Sequence, residues 1–152
     1  MPTAIRADAR DLARPGRAKE LVGQGVGGVD VVVYGSDEPM HDWHAGSAGS
    51  FRRTVVALRR ARGAGLPFVI TCEVSRSNYR HLSEVVRVAH TLGARALRFV
   101  PVPATAMSPP APGALLSPHL RRAVALARVL SLAVAAPGME DPPGTQSWFE
   151  AT

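Results

Sequence analysis

The chain has 152 residues, 46% of them hydrophobic, enough for one domain with its own core and too few for a complete eight-stranded barrel of about 250 residues. Its formal charge of +6 raises nucleic acid as a partner, but the basic residues fall as arginine pairs on predicted helices (Arg52/Arg53, Arg59/Arg60, Arg121/Arg122) without interleaved aromatics, the pattern of solvated faces. The single cysteine, Cys72, excludes an internal disulfide and any metal site built from several thiolates of this chain.

Residues 1–14 are rich in alanine and arginine and weakly patterned; they read as a strand remnant or a frayed end. From Pro15 a helix begins, with Ala18, Leu21 and Val22 on one face and Gly23 and Gly25 as its stop. Val29 to Tyr34 is a nearly continuous β-branched run, as expected of a strand buried on both faces of a parallel sheet. Gly35 to Gly49 follows as a loop longer than usual for a strand-to-helix connection, and long loops tend to carry function. Ser50 is placed to cap a helix over Ser50 to Arg62, in which Phe51, Val55 and Leu58 share the buried face.

Pro67 opens the strand Phe68 to Val74. Phe68, Ile70, Cys72 and Val74 take one face and Val69, Thr71 and Glu73 the other, which grows polar towards the C-terminal end. That parity turns Cys72 to the helices as a buried, inert thiol. Asn78 reads as the cap of a helix whose stripe is Leu82, Val85, Ala89 and Leu92, with Gly93 as its stop. A strand at Ala96 to Val102, a proline-rich loop at Thr105 to Gly113, a helix opened by Ser117-Pro118 and a strand at Leu132 to Ala135 complete the order.

Strand and helix in regular alternation give an α/β fold, a partial (half) TIM-type barrel of about four parallel strands. The barrel is assigned to residues 15–136 and a flexible tail to 137–152. The longest apolar run, Ala123 to Pro137, is broken by Arg128 and Ser131, and Met1 to Arg10 lacks a signal-type core, so the expectation is a soluble, cytoplasmic protein without a membrane partner.

The segments Gly27 to Ser36, His41-Asp42, Gly49-Ser50-Phe51, Gly65 to Ile70, Arg76 to Leu82 and Leu92-Gly93 occur in an order and spacing that resembles the C-terminal half of the radical S-adenosylmethionine (radical SAM) enzymes. The similarity is to the branch of cofactor maturases and peptide-modifying enzymes, and it covers Ala18 to Pro103. It implies S-adenosylmethionine (SAM) as a cofactor. Members hold a 4Fe-4S cluster in a CxxxCxxC loop, because iron needs thiolate donors, and use a GGE motif for SAM; neither motif occurs here, so a cluster is not expected in this chain.

What the resemblance leaves for a SAM or substrate pocket are Ser36, Thr71, Glu73, Ser75 and Arg76 at the ends of the matching strands, Arg76 suiting a ligand carboxylate. Val32 stands where the family has an inward polar residue. His41 and Asp42 match a family loop motif and are assigned to a substrate loop; with His44 they have metal-ligand types, but no periodic element fixes their spacing and no third histidine is near, so no metal and no catalytic residue is assigned.

Three functions stay open. One is a truncated or split radical SAM-type barrel, completed by a cluster-bearing polypeptide and not a competent enzyme alone. Another is a non-catalytic module for a nucleoside-type small molecule that self-associates as a homodimer to cover its sheet edges. The last is a basic protein that binds nucleic acid, which the scattered arginines disfavour.

Overall fold

The structure is a computed structural model that describes residues 4–103, 105–106 and 108–139. Five strands form one parallel sheet: β1 (Ala4–Arg6), β2 (Gly28–Val33), β3 (Phe68–Val74), β4 (Ala96–Pro101) and β5 (Ala133–Ala135). Their order in the sheet is their order in the chain. Between them run α1 (Ala9–Leu12), α2 (Arg17–Gly23), α3 (Glu38–Ala45), α4 (Ser50–Gly63), α5 (Leu82–Leu92) and α6 (Gly113–Val129), with a 3₁₀ turn at Tyr79–His81 leading into α5. Sequential order with crossovers of one hand keeps winding the helices over the same side, the construction of a barrel wall.

Period-two alternation separates the two sheet faces. Val29, Val31 and Val33 of β2, Phe68, Ile70, Cys72 and Val74 of β3, and Leu97 and Phe99 of β4 belong to one buried cluster with residues of α4, α5 and α6. Burying each of the larger side chains contributes about 1.5–3 kcal/mol. Cys72 is fully buried there, and burial pushes its thiol up to about 12, leaving it un-ionised and inert. On the opposite face a small apolar cluster, Ala4, Val69, Ala96 and Ala135, is made of strand residues alone. Glycine matters at Gly93, which closes α5 at φ 88°, a left-handed conformation that other residues adopt at a cost.

The N-terminal segment contains a strand as well as a helix. β1 pairs in parallel with β2 and makes the sheet five-stranded, where four strands were legible. In α2, Ala18 and Leu21 are buried but Val22 is exposed. The expected loop from Gly35 to Gly49 holds α3: Asp37 caps it by accepting from the Met40 N–H (3.0 Å), Pro39 sits in its first turn, and Gly46 ends it at φ 68°. Only eight residues long and weakly amphipathic, α3 leaves little periodic signal.

Two expected caps also differ. Gly49 is the N-cap residue of α4, and the carboxylate of Asp42 on α3 does the capping by accepting from Gly49 N–H (2.8 Å) and Phe51 N–H (2.7 Å). Asn78 makes no capping bond to the turn that follows it. The last helix starts at Gly113, so Pro118 lies inside it rather than in its first turn. Residues 140–152, most of the expected tail, lie outside the described residues. Among the described residues no helix is long and apolar enough to cross a membrane.

Candidate functional site

The helix-free face of the sheet carries a charge cluster at mid-height. Asp30 of β2 is fully buried, accepts from Thr71 Oγ1 of β3 (2.8 Å) and from Arg6 Nη2 of β1 (3.1 Å), and lies 3.8 Å from Arg98 Nη2 of β4. Register dictates this meeting: Arg6 is opposite Asp30 and Thr71 is opposite Arg98, all with the same parity. One carboxylate thereby links four parallel strands. A charge is stable in such a position only when paired and hydrogen-bonded, as Asp30 is.

Towards the C-terminal ends the strands are tied by side chains of the loops. Asn78, fully buried, accepts from Ser75 N–H (2.9 Å) and donates to the carbonyls of Tyr34 (2.9 Å) and Glu73 (2.7 Å), fastening the end of β2 to the end of β3. Ser75 is also fully buried and accepts through Oγ from Ser77 N–H (3.2 Å). Ser77 and Ser108 hydroxyls lie 2.6 Å apart, and Arg76 N–H donates to the Pro109 carbonyl (2.8 Å).

Of the five strand-end residues singled out from sequence, Thr71 and Ser75 are therefore engaged within the fold, Ser36 and Glu73 are half-buried at the open edge, and Arg76 is exposed. Partial burial raises the pKa of Glu73, the charge of Arg6 opposing the shift. Tyr34 is also raised, first by burial and then by the negative charge of Glu73.

His41 and Asp42, expected to line a substrate loop, both turn into the protein from α3. The His41 ring is buried between Tyr34 and Phe51. Its Nδ1 accepts from Tyr34 N–H (3.1 Å), which fixes the neutral tautomer with the proton on Nε2, and that nitrogen donates to Ser50 Oγ 3.1 Å away. Burial holds its pKa down at about 4. Asp42 lies below the usual carboxylate range because the N–H groups of Phe51 and Gly49 bind its ionised form. The pair joins β2, α3 and the start of α4.

Arg6, Asp30 and Arg98 escaped the sequence reading because charge inside apolar strands is read as noise. The usable signal was parity, which puts Asp30 and Thr71 on the face that helices do not cover.

No protein-family model matches the chain. Among curated proteins it is 32% identical over 83 residues to the AdoMet-dependent heme synthase of Methanosarcina barkeri and 28% identical over 83 residues to that of Nitratidesulfovibrio vulgaris. Each match covers 55% of this chain, but only 24% and 23% of the relative, so the chain spans about a quarter of those proteins. In fold it is similar to a domain of pyruvate-formate lyase-activating enzyme from Bacteroides vulgatus, with a TM-score of 0.66 and 13% identity over 89% of this chain and 81% of that one. The chain is thus similar to these radical SAM-type proteins in sequence over about half its length and in fold over most of it.

A 4Fe-4S cluster does not fit the residues of this chain. Cluster ligation takes three or four thiolates. The chain has one cysteine, it faces the helices, and burial keeps it protonated. Among the described residues no group of three or more His, Cys, Asp or Glu is placed to hold a metal. At the strand ends the half-buried Glu73 carboxylate, held above its ordinary pKa by burial, is the kind of group that an ammonium relieves.

Proposed function

We propose that this radical SAM-like domain supplies one wall of a catalytic chamber, with SAM and substrate against its strand ends, and that the cluster-bearing portion belongs to polypeptide outside this sequence. The observation that carries the reading is the helix-free sheet face, where a fully buried carboxylate is held between two arginines in a position natural to a barrel interior. The short, unshared edges of β1 and β5 are where further strands would join. In this reading Glu73 takes the ammonium of SAM, Ser36 faces its polar part, and Arg76 is free to reach a carboxylate of SAM or substrate. SAM bound to a cluster is a source of a carbon radical, and the cluster is what this chain's own residues do not fit.

Titration calorimetry of the purified chain with SAM is the test. Saturable binding that weakens about tenfold in Glu73→Gln is expected, as for loss of one charge-assisted contact of about 1.4 kcal/mol. No heat with SAM, or equal heat in the variant, overturns the assignment of Glu73. Anaerobic iron-sulfide reconstitution with an iron count tests the other half, since a stoichiometric cluster in the chain alone contradicts the need for an outside portion.

A further inference from the structure

A groove of about 510 Å³ opens beside the C-terminal end of the sheet, between α3 and the turn that leads into α5. Pro39, Met40, Trp43 and His44 line it from α3, Ser77 and His81 from the opposite side, and Asp37 completes it. The chain carries +6, yet no Lys or Arg is among these lining residues. Asp37 is committed through one oxygen only, Oδ1, which caps α3. Its Oδ2 is left for a ligand.

The apolar part of the groove sets aromatic rings beside Pro39 and Met40. Trp43 is 50% exposed, unusual for the largest hydrophobic side chain, and is held edge-on to His44 with ring centroids 4.7 Å apart at 88°. His44 lies flat on Tyr34 at 5.8 Å and 11°, and burial keeps its pKa down, so it adds no positive charge near neutral pH. His81 is matched by a carboxylate of its own, with Nδ1 2.8 Å from Glu84 Oε2. The groove thus combines an open indole, two imidazoles and one carboxylate in an otherwise basic molecule.

We propose that this groove binds a small organic cation, an amidinium or ammonium carried on a flat apolar body, with its charge on Asp37 and its body against the Trp43 indole. An aromatic face and a carboxylate both favour a cation, and neither rewards a neutral or anionic analogue of the same shape. The site does not depend on how the sheet face is closed, so it stands or falls separately from the SAM reading.

The chain contains two tryptophans, and Trp148→Phe leaves Trp43 as the sole indole reporter. That variant, titrated near neutral pH with benzamidine, benzamide and benzoate, compares a cation, a neutral isostere and an anion on one ring. A saturable change in Trp43 emission with benzamidine is expected, with benzamide at least about tenfold weaker and benzoate weaker still. Asp37→Asn in the same background removes the charge but keeps a good cap, so it should leave the helix content intact and lower benzamidine affinity to that of benzamide. No saturable response to benzamidine, equal responses to the three probes, or undiminished benzamidine binding in Asp37→Asn overturns the proposal; the probe comparison needs no change at Asp37.

Discussion

Asp30 illustrates how one side chain is stabilised by three strands other than its own. Removing its carboxylate in Asp30→Ala leaves Thr71 without its acceptor and takes away the anion that Arg6 and Arg98 face. Loss of a buried ion-pair partner costs about 3–5 kcal/mol, and the lower end is expected because the Arg6 side chain remains 42% exposed to water. Urea unfolding should therefore show a loss of about 3 kcal/mol, while Asp30→Asn, which keeps an acceptor for Thr71, loses less. Equal stability of Asp30→Ala and the parent would remove the cluster from the list of what holds the sheet.

At the same scale His41 makes the fold sensitive to acid. Its pKa falls from 6.5 to about 4 on folding, so the unfolded chain takes up the proton first as pH drops. The contribution is complete above about pH 6.5, shrinks as pH falls, and is gone below about pH 4, amounting to about 3 kcal/mol. The lowered pKa of His44 adds to the slope in the same direction. His41→Asn keeps an acceptor near the Tyr34 N–H, so it should flatten the loss of unfolding free energy across this window. An unchanged pH profile in the variant would show that the proton goes elsewhere.

Among the elements, α3 is the one on which the site turns. It is fixed at its start by Asp37, in its middle by His41 against β2 and Ser50, and through Asp42 to the first turn of α4. Its close approach to the sheet also requires Gly35. A Cβ there would lie 2.7 Å from Met40 Cγ and 2.9 Å from Met40 Cβ, too near the helix backbone for a rotamer change to relieve. Gly35→Ala should cost about 1–3 kcal/mol as overpacking and displace α3. Thermal melting checks the first effect and weaker benzamidine binding the second; a variant that melts and binds as the parent does would mean that α3 yields freely.

For the whole molecule, the sheet is secured at its centre and thin at its margins. Among the described residues β2, β3 and β4 have six or seven residues and a partner on each side, whereas β1 and β5 have three residues and one partner. Amide hydrogen exchange should be slowest in β2, β3 and β4 and faster in β1 and β5 by several orders of magnitude, because edge strands open without global unfolding. Uniform protection would indicate that the edges are covered in solution, by a second copy or by another polypeptide.

The alternation of apolar and polar residues was sufficient to determine the parallel α/β character, the three central strands, the stripe of α5 and the burial of Cys72, because a side-chain period is written directly into the chain. Local patterning could not choose between a strand and a frayed end for β1, too short to show a period, and did not reveal α3, whose capping residues were present without a strong apolar stripe. Nor could it show that Asp42 would cap a different helix, that Asn78 would fasten two strand ends, or that Arg6, Asp30, Thr71 and Arg98 would converge. Most of those contacts join residues from 7 to 44 positions apart or from separate strands, and sheet register and helix docking bring them within hydrogen-bond or ion-pair reach.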